Sequence, residues 1–475
     1  MFLHRSYFSR VWVAQETYFA KSIIVFCGAL SIRWDNLKRS AKVIQETGLA
    51  EALHRRLLEI TPKSNTLDSL EKNSTNNQLV LTQLGGKESL SVDKLLYFTQ
   101  YLDAFMAVDK IRGLTGIFQC LTSSGGTKNS IDLDFGADEV ETFSWATFTA
   151  IKEMGDLNIL RLVDTASFDD RDFPSWVPDY ASFPKTHPIT IPKNFSVRVT
   201  GPKRGYAQDV PSAWKADGTT RVTHRGIPER RHPNRLAVRG IPFQTIASHG
   251  PTYSQVAENL DLGSLVRTLL DWSSLPSPYG SNYSKAWCHT LIAGRYQNQD
   301  AGDAALEAFP LLIAAYMLGI NEALENDEQF SEEAIEMLEG TKQRAEKAIS
   351  EVSARDFNHG IIPSLTNIEA HIRALEEEEK LPPPYKLNSA VGDIRKSFER
   401  AHLRRRIFRT DGNYLGIGPQ VLKPGDQVWI LSGADTPYVL RRVPEGCWRV
   451  IGETYVHGIM YGEAANMSFQ ELVLV

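Results

Sequence analysis

At 475 residues and 53.2 kDa the chain is longer than one core usually serves, so two or three domains are expected. Hydrophobic residues at 42% and charged residues at 23% exclude wholesale disorder. A formal net charge of -5 with a pI near 6.2 gives no basic footprint, so nucleic acid is not expected as a partner.

Four cysteines, Cys27, Cys120, Cys288 and Cys447, are widely spaced and include no C-x-x-C pair. They are expected to be reduced, mostly buried thiols in a cytoplasmic protein, and no metal site is expected. The first ten residues carry no apolar signal core, and the longest apolar run, residues 308–320, is short and interrupted. No membrane span is expected.

Residues 7–20 place Phe8, Val11, Trp12, Phe19 and Ala20 at helical spacing, and residues 23–27 form a continuous apolar run closed by Gly28. This order predicts a helix followed by a buried strand, an α-then-β unit. A second helix is expected from Trp34 to before Pro62, a surface linker over residues 64–77, and helices over 92–107 and 140–154. Residues 168–250 are rich in Pro, Gly, Arg and His, with short alternating runs at 197–200 and 236–239 that read as irregular edge strands. Helices follow over 253–272, 301–323, 331–353 and 367–380, the last stopped by Pro382, Pro383 and Pro384.

From Arg406 the pattern becomes all-β, with runs at 407–410, 427–431, 438–441, 448–450 and 454–457 separated by Gly, Pro and Asp turns. A small sandwich or barrel-like module is expected. The fold class is therefore α+β, in four stretches: a residual α/β unit at 1–60, a helical then irregular region at 61–250, a helical region at 251–403 and the β-rich module at 404–475.

Trp12 and Glu16 lie one helical turn apart, flanked by Phe8 and Phe19, so a carboxylate is presented beside apolar side chains. Desolvation would prepare such a group for proton transfer or for stabilising a cation. The alternative is a rim glutamate paired with Arg10 or Lys21. Ser175 has no glycine elbow and reads as a loop residue beside Trp176, which would pack under two turns.

Gly416 and Gly418 lack the third glycine and following helix of a phosphate cradle, so they predict a β-turn. An even separation would put Glu453 and His457 on one strand face, as an acid–base pair or as a core histidine with a neighbouring partner. Two side chains without a third ligand make a poor metal site. Arg404, Arg405, Arg406 and Arg409 form a basic run beside His402, suited to phosphate, to an acidic partner, or to an internal contact with the Glu376, Glu377, Glu378, Glu379 run.

The stretch Tyr7, Phe8, Ser9, Arg10, Val11, Trp12, Val13, Ala14, Gln15, Glu16, followed by Val25, Phe26, Cys27, Gly28 and then Trp34 and Asp35, resembles the last block of the fungal heterokaryon-incompatibility (HET) domain. Further segments are similar to the same family. They are Asp109, Lys110, Ile111, Arg112, Gly113, Leu114 and Gly116; Pro174 to Asp179; and the C-terminal block from Asp411 through Asp426, Glu453, His457 and Gly458 to Gly462. The Trp-x-x-x-Glu turn before a strand also resembles TIR domains, whose enzymatic members cleave NAD with that glutamate. The resemblance implies Glu16 as a catalytic residue supported by Trp12, Arg10 and Gln15, with NAD as the substrate of an intact relative and no bound cofactor.

Trp176, Pro178, Asp179, Gly416, Gly418, Asp426, Glu453, His457 and Gly458 are implied as structural motif residues. Upstream blocks resembling Ser-Tyr-Val-Trp-Gly and Ile-Asp-x-x-Cys-Ile-Asn-Gln are not in the sequence, so a residual HET unit without NAD hydrolysis of its own is expected. The implied function is fungal non-self recognition leading to cell death. The alternatives are a non-catalytic binding partner of another HET or incompatibility protein, or a truncated gene product.

Overall fold

A computed structural model describes residues 6–46, 90–122, 138–163, 173–182, 188–189, 214–218, 234–258, 260–297, 299–325, 331–379 and 389–475. The N-terminal part holds helix α1 (Trp12–Phe19), strands β1 (Ile24–Cys27) and β2 (Leu30–Arg33), and helix α2 (Trp34–Glu46). Helices α3 (Val92–Thr99), α4 (Asp109–Arg112), α5 (Thr115–Thr122) and α6 (Glu139–Met154) follow. Strand β3 (Leu236–Thr252) precedes helices α7 (Leu262–Ser273) and α8 (Tyr283–Leu291), the short hairpin β4 (Arg295–Tyr296) and β5 (Gln299–Asp300), and helices α9 (Asp303–Glu325), α10 (Glu332–Ser353), α11 (Leu365–Glu379) and α12 (Ser389–His402). The C-terminal strands are β6 (Arg405–Thr410), β7 (Leu415–Pro419), β8 (Gln427–Leu431), β9 (Tyr438–Arg442), β10 (Trp448–Glu453), β11 (Tyr455–Val456) and β12 (Gln470–Leu474). The mixed α+β class holds.

The sheet runs β11-β7-β6-β3-β12-β10-β9-β8, and a further pairing of β8 with β3 closes the last five strands into a barrel. Strand β3 pairs antiparallel with β12 through Leu236 to Gly240, with β8 through Gly240 to Thr245, and with β6 from Ile246 onward. Its register shifts between Pro242 and Gln244, which is where a strand tolerates a proline that cannot donate to the ladder. The run at residues 236–239 is thus no irregular edge: it begins the strand that the barrel closes on. Its Pro and Gly content hid it.

Alternate residues of the barrel strands feed two different cores. Val428, Ile430, Val439 and Ile451 pack inside with Ile241, Ile246 and Phe408. Trp429, Leu431, Tyr438, Leu440 and Val450 point outward onto α3, α5 and α6 through Leu95, Phe118 and Phe143. With both faces buried, these strands read as continuous apolar runs. Ile407, Leu415, Ile417 and Tyr455 face a third core shared with helices α7 to α12.

The contact between barrel and N-terminal helices is pinned by polar groups that satisfy one another. The Asn158 amide donates to Asp435 at 3.1 Å and accepts the Asp435 backbone N–H at 2.9 Å, while Lys215 pairs with the same carboxylate. Within the barrel itself, buried Asp426 accepts two hydrogen bonds from the Arg441 guanidinium, at 2.7 and 2.9 Å, and one from the Lys423 N–H.

Several expectations change. Strand β1 is not buried: it pairs with β2 in a two-stranded antiparallel hairpin whose Val25 and Ile32 lean on Phe8, Trp34 and Leu37 while Ile24, Phe26 and Leu30 face solvent. The helix expected over 92–107 stops at Thr99, and α8, α12, β7 and β12 were not anticipated. Helix α9 is long and apolar enough to cross a membrane by length and composition, contrary to the expectation from its sequence. Here its apolar face is buried on neighbouring helices through Leu312, Ile313 and Met317. Of the cysteines, all free, Cys288 and Cys447 are buried, Cys27 is half-buried and Cys120 is exposed. The expected linker at 64–77 and strand at 197–200 lie outside the described residues.

Two consequences are measurable. Removing the buried carboxylate with Asp426→Ala leaves Arg441 without its partner and should lower the unfolding free energy by about 3 kcal/mol in urea titrations. His402 is fully buried, stacks on Phe398 with ring centroids 4.1 Å apart, and is held neutral by burial, its pKa pushed down to about 3 from 6.5. Between those values the unfolded chain binds a proton that the folded chain refuses, so this contribution to stability is lost as pH falls from about 6.5 towards 3. His402→Phe should flatten the acid limb of the stability profile by about 1.4 kcal/mol per pH unit.

Candidate functional site

Helix α1 turns Val11, Ala14 and Thr17 into the core and leaves Trp12, Glu16 and Phe19 exposed. The apolar residues read from spacing therefore do not all share the buried face. Glu16 is not desolvated and is not paired with Arg10 or Lys21; it accepts a hydrogen bond from the Tyr7 hydroxyl at 2.8 Å. Burial, and then the Glu16 hydrogen bond and charge, push the Tyr7 phenol up to about 12. Desolvation, the feature that would prepare Glu16 for proton transfer, is missing.

Arg10 and Gln15 act as anchors. Arg10 bridges Asp103 through the backbone, and the Gln15 amide donates to the Gly113 carbonyl at 2.7 Å. Val11, Gln15 and Phe19, successive turns of α1, ride over Gly113 and Gly116. A Cβ on Gly113 would lie 2.8 Å from the Asp109 carbonyl oxygen and 3.0 Å from Val11 Cγ1. One on Gly116 would lie 2.8 Å from Gln15 Oε1 and 3.1 Å from the Phe19 ring. The two glycines of that motif exist for close helix approach.

Lys110, between these glycines and α3, was missed by sequence reasoning. Its buried ammonium donates to the carbonyls of Thr99, Gln100 and Leu102, the groups that a helix C-terminus leaves without partners. Burial pushes its pKa down to about 8, with the Asp103 and Asp179 carboxylates pulling the other way. Asp179 in turn accepts the Ala181 and Ser182 N–H groups at 2.9 and 3.1 Å. The segments around Arg10, Lys110 and Asp179 thus converge on one place, and what they build there is a structural joint. A lysine inside a short charged motif carries no sequence signal of burial.

Trp176 and Pro178 are buried. Ser175 is not a nucleophile: its hydroxyl donates to the Val475 carbonyl and accepts the Val450 N–H at 2.8 Å, bridging the seam between β10 and β12.

In the C-terminal block, Gly416 and Gly418 lie inside β7, not in a turn as expected. A Cβ on Gly416 would lie 2.3 Å from the Phe408 ring and 2.8 Å from the Tyr455 carbonyl oxygen, so glycine is needed for packing. Gly458 adopts φ +92°, the left-handed turn that glycine favours. Glu453 and His457 do not form a pair. The chain changes partner strand at Thr454, from β9 to β7, which breaks the even-spacing rule. Buried Glu453 lies 3.5 Å from buried Arg405 and accepts the Ile189 N–H, whereas His457 Nδ1 lies 2.8 Å from the Tyr455 hydroxyl.

The arginine run is likewise turned inward. Besides the Arg405 pair, Arg406 donates to the Gly250 carbonyl at 3.1 Å and Arg409 to the Thr410 carbonyl and Asn413, while Glu376 and Glu377 stand exposed. Among the described residues, no group of three or more His, Cys, Asp or Glu side chains is arranged to hold a metal ion.

Gly116→Val should wedge α1 away from α5, lowering stability by about 1–3 kcal/mol and raising amide exchange across residues 12–19.

Residues 331–474 match the Het-6 β-barrel domain. Among curated proteins, a stretch of 70 residues is 43% identical to the heterokaryon incompatibility protein 6, OR allele, of Neurospora crassa. That stretch is 14% of this chain and 10% of the relative, so the match spans about a tenth of the relative's length. No solved structure matches. The matched domain begins at α10, so the barrel seen here takes one of its five strands, β3, from outside it. Residues 331–474 thus carry a Het-6 β-barrel domain, and part of the chain is similar to a heterokaryon incompatibility protein.

Proposed function

We propose that the chain serves heterokaryon incompatibility as a binding component and not as an enzyme acting alone. The barrel is the rigid platform, and the N-terminal unit presents the recognition surface to another incompatibility protein in the cytoplasm. The observation that carries this reading is the exposure of large apolar side chains on that unit: Trp12 at 41%, Phe26 at 74% and Leu30 at 75%. Apolar residues this exposed on a small hairpin and its preceding helix are a recognised sign of an interaction surface.

A second reading, the cell-death effector that cleaves NAD at Glu16, draws on one observation: Glu16, Tyr7 and Trp12 gather on the same exposed side. In that reading, a pocket completed by further protein would desolvate Glu16, and its carboxylate would stabilise the oxocarbenium-like ribose as nicotinamide departs.

The readings separate in an incompatibility assay with folded variants. Trp12→Ser combined with Phe26→Ser should abolish the reaction while leaving the urea midpoint within experimental error, and Glu16→Gln should leave the reaction intact. Loss of the reaction and of NAD consumption in Glu16→Gln, with Trp12→Ser/Phe26→Ser unaffected, would reverse the assignment.

A further inference from the structure

Helix α8 and its following turn lie against the C-terminal strands along a seam of ring side chains. Gly294, at φ +64°, brings the turn so close that a Cβ there would lie 2.5 Å from the Tyr455 ring. His289 of α8 faces His457 just beyond β11, their rings edge-to-face at 5.6 Å between centroids. His289 is 7% exposed, and its Nε2 is buried with no hydrogen-bond partner among the described residues. His457 is held by Tyr279, whose hydroxyl donates to the His457 carbonyl at 2.9 Å, and by the Tyr455 hydroxyl on Nδ1.

We propose that this histidine pair is an acid-operated latch: neutral rings close the seam between α8 and the β7–β11 edge, and protonation of both opens it. Two imidazoliums at this separation repel, and the one on His289 would carry a buried charge with an unmet donor at Nε2.

The groups around the pair set its sense. Lys285, one turn before His289, adds a third positive charge beside both rings. Asp303, at the start of α9, lies 2.9 Å from Lys285 and, with the Gly302 backbone, favours the protonated form of His289. Tyr279 and Tyr455 are the titratable groups that touch His457, and both phenols are pushed up by burial, so neither supplies a negative charge. Tyr461, Asp300 and Glu463 act electrostatically on Tyr455.

Burial lowers the proton affinity of both histidines, that of His457 to about 4, with the His289 and Lys285 charges adding to the effect. The unfolded or opened form, with ordinary histidines near 6.5, therefore gains protons first as pH falls, and closure is lost between about 6.5 and 4. His402 is distinct, because it sits in the helical core and stays neutral down to about pH 3.

The test is hydrogen exchange of the full chain between pH 7 and pH 4.5, with the pH dependence of intrinsic exchange divided out. Peptides covering residues 283–296 and 453–460 should exchange more than ten-fold faster at pH 4.5, while the barrel peptide 427–431 stays unchanged. The double variant His289→Gln/His457→Gln should lose this dependence. Lys285→Met, at a half-exposed site, removes a charge that disfavours both protonated rings and should move the opening to lower pH, and it decides the matter if the double variant does not fold. No acid-induced rise in the wild type, a rise spread evenly over peptide 427–431, an unaltered rise in the double variant, or an unmoved transition in Lys285→Met would each overturn the latch.

Discussion

Everything in this protein hangs on the double pairing of one strand. Strand β3 gives one edge to β12 and the other to β8, and then carries on to pair with β6, so a single segment both closes the barrel and joins it to the three-stranded flap of β6, β7 and β11. Closure removes the open edges that a sheet must otherwise protect. Closure fills the barrel with Val428 and Ile430, and the alternate residues Trp429 and Leu431 are apolar on its outer face. The outward set needs a cover, and helices α3, α5 and α6 provide it.

The site residues follow from that arrangement. The polar groups Glu453, Arg405, Asp426, Arg441 and Ser175 occupy the joints where strands meet other elements, and there each meets its partner. In a buried setting a paired charge is tolerated and an unpaired one is costly, so such positions admit few alternatives. The N-terminal unit differs in kind. Its helix is anchored by Gln15 and by the glycine approach at Gly113 and Gly116, yet its other side and the hairpin beyond it leave aromatic and aliphatic side chains in solvent.

What the sequence made legible was set by how local the signal is. Helices α6, α9 and α10 and strands β8 and β9 were readable because their own apolar periodicity fixes them. Strand β3 was not, because its Pro242 and Gly240 are explained only by a bulge and by the ring of Trp429 across the ladder. The exposure of β1 was equally hidden: an apolar run reads as buried, and only the tertiary structure shows that a two-stranded hairpin covers one of its faces. Glu16 was legible as a position on a helix face, but whether that face is dry depends on packing far away in sequence. Lys110 and His289 had no local signature at all, since burial of a lone cation or ring is decided by the elements that close over it.

The dependence of the barrel on β3 can be read from urea unfolding of residues 331–475 alone beside the intact chain. This fragment contains the whole matched domain and lacks the strand. Without β3 the fragment leaves the facing edges of β8 and β12 unpaired and should show no cooperative transition and no fixed near-ultraviolet signal. A cooperative transition in the fragment, with a midpoint near that of the intact chain, would contradict the account.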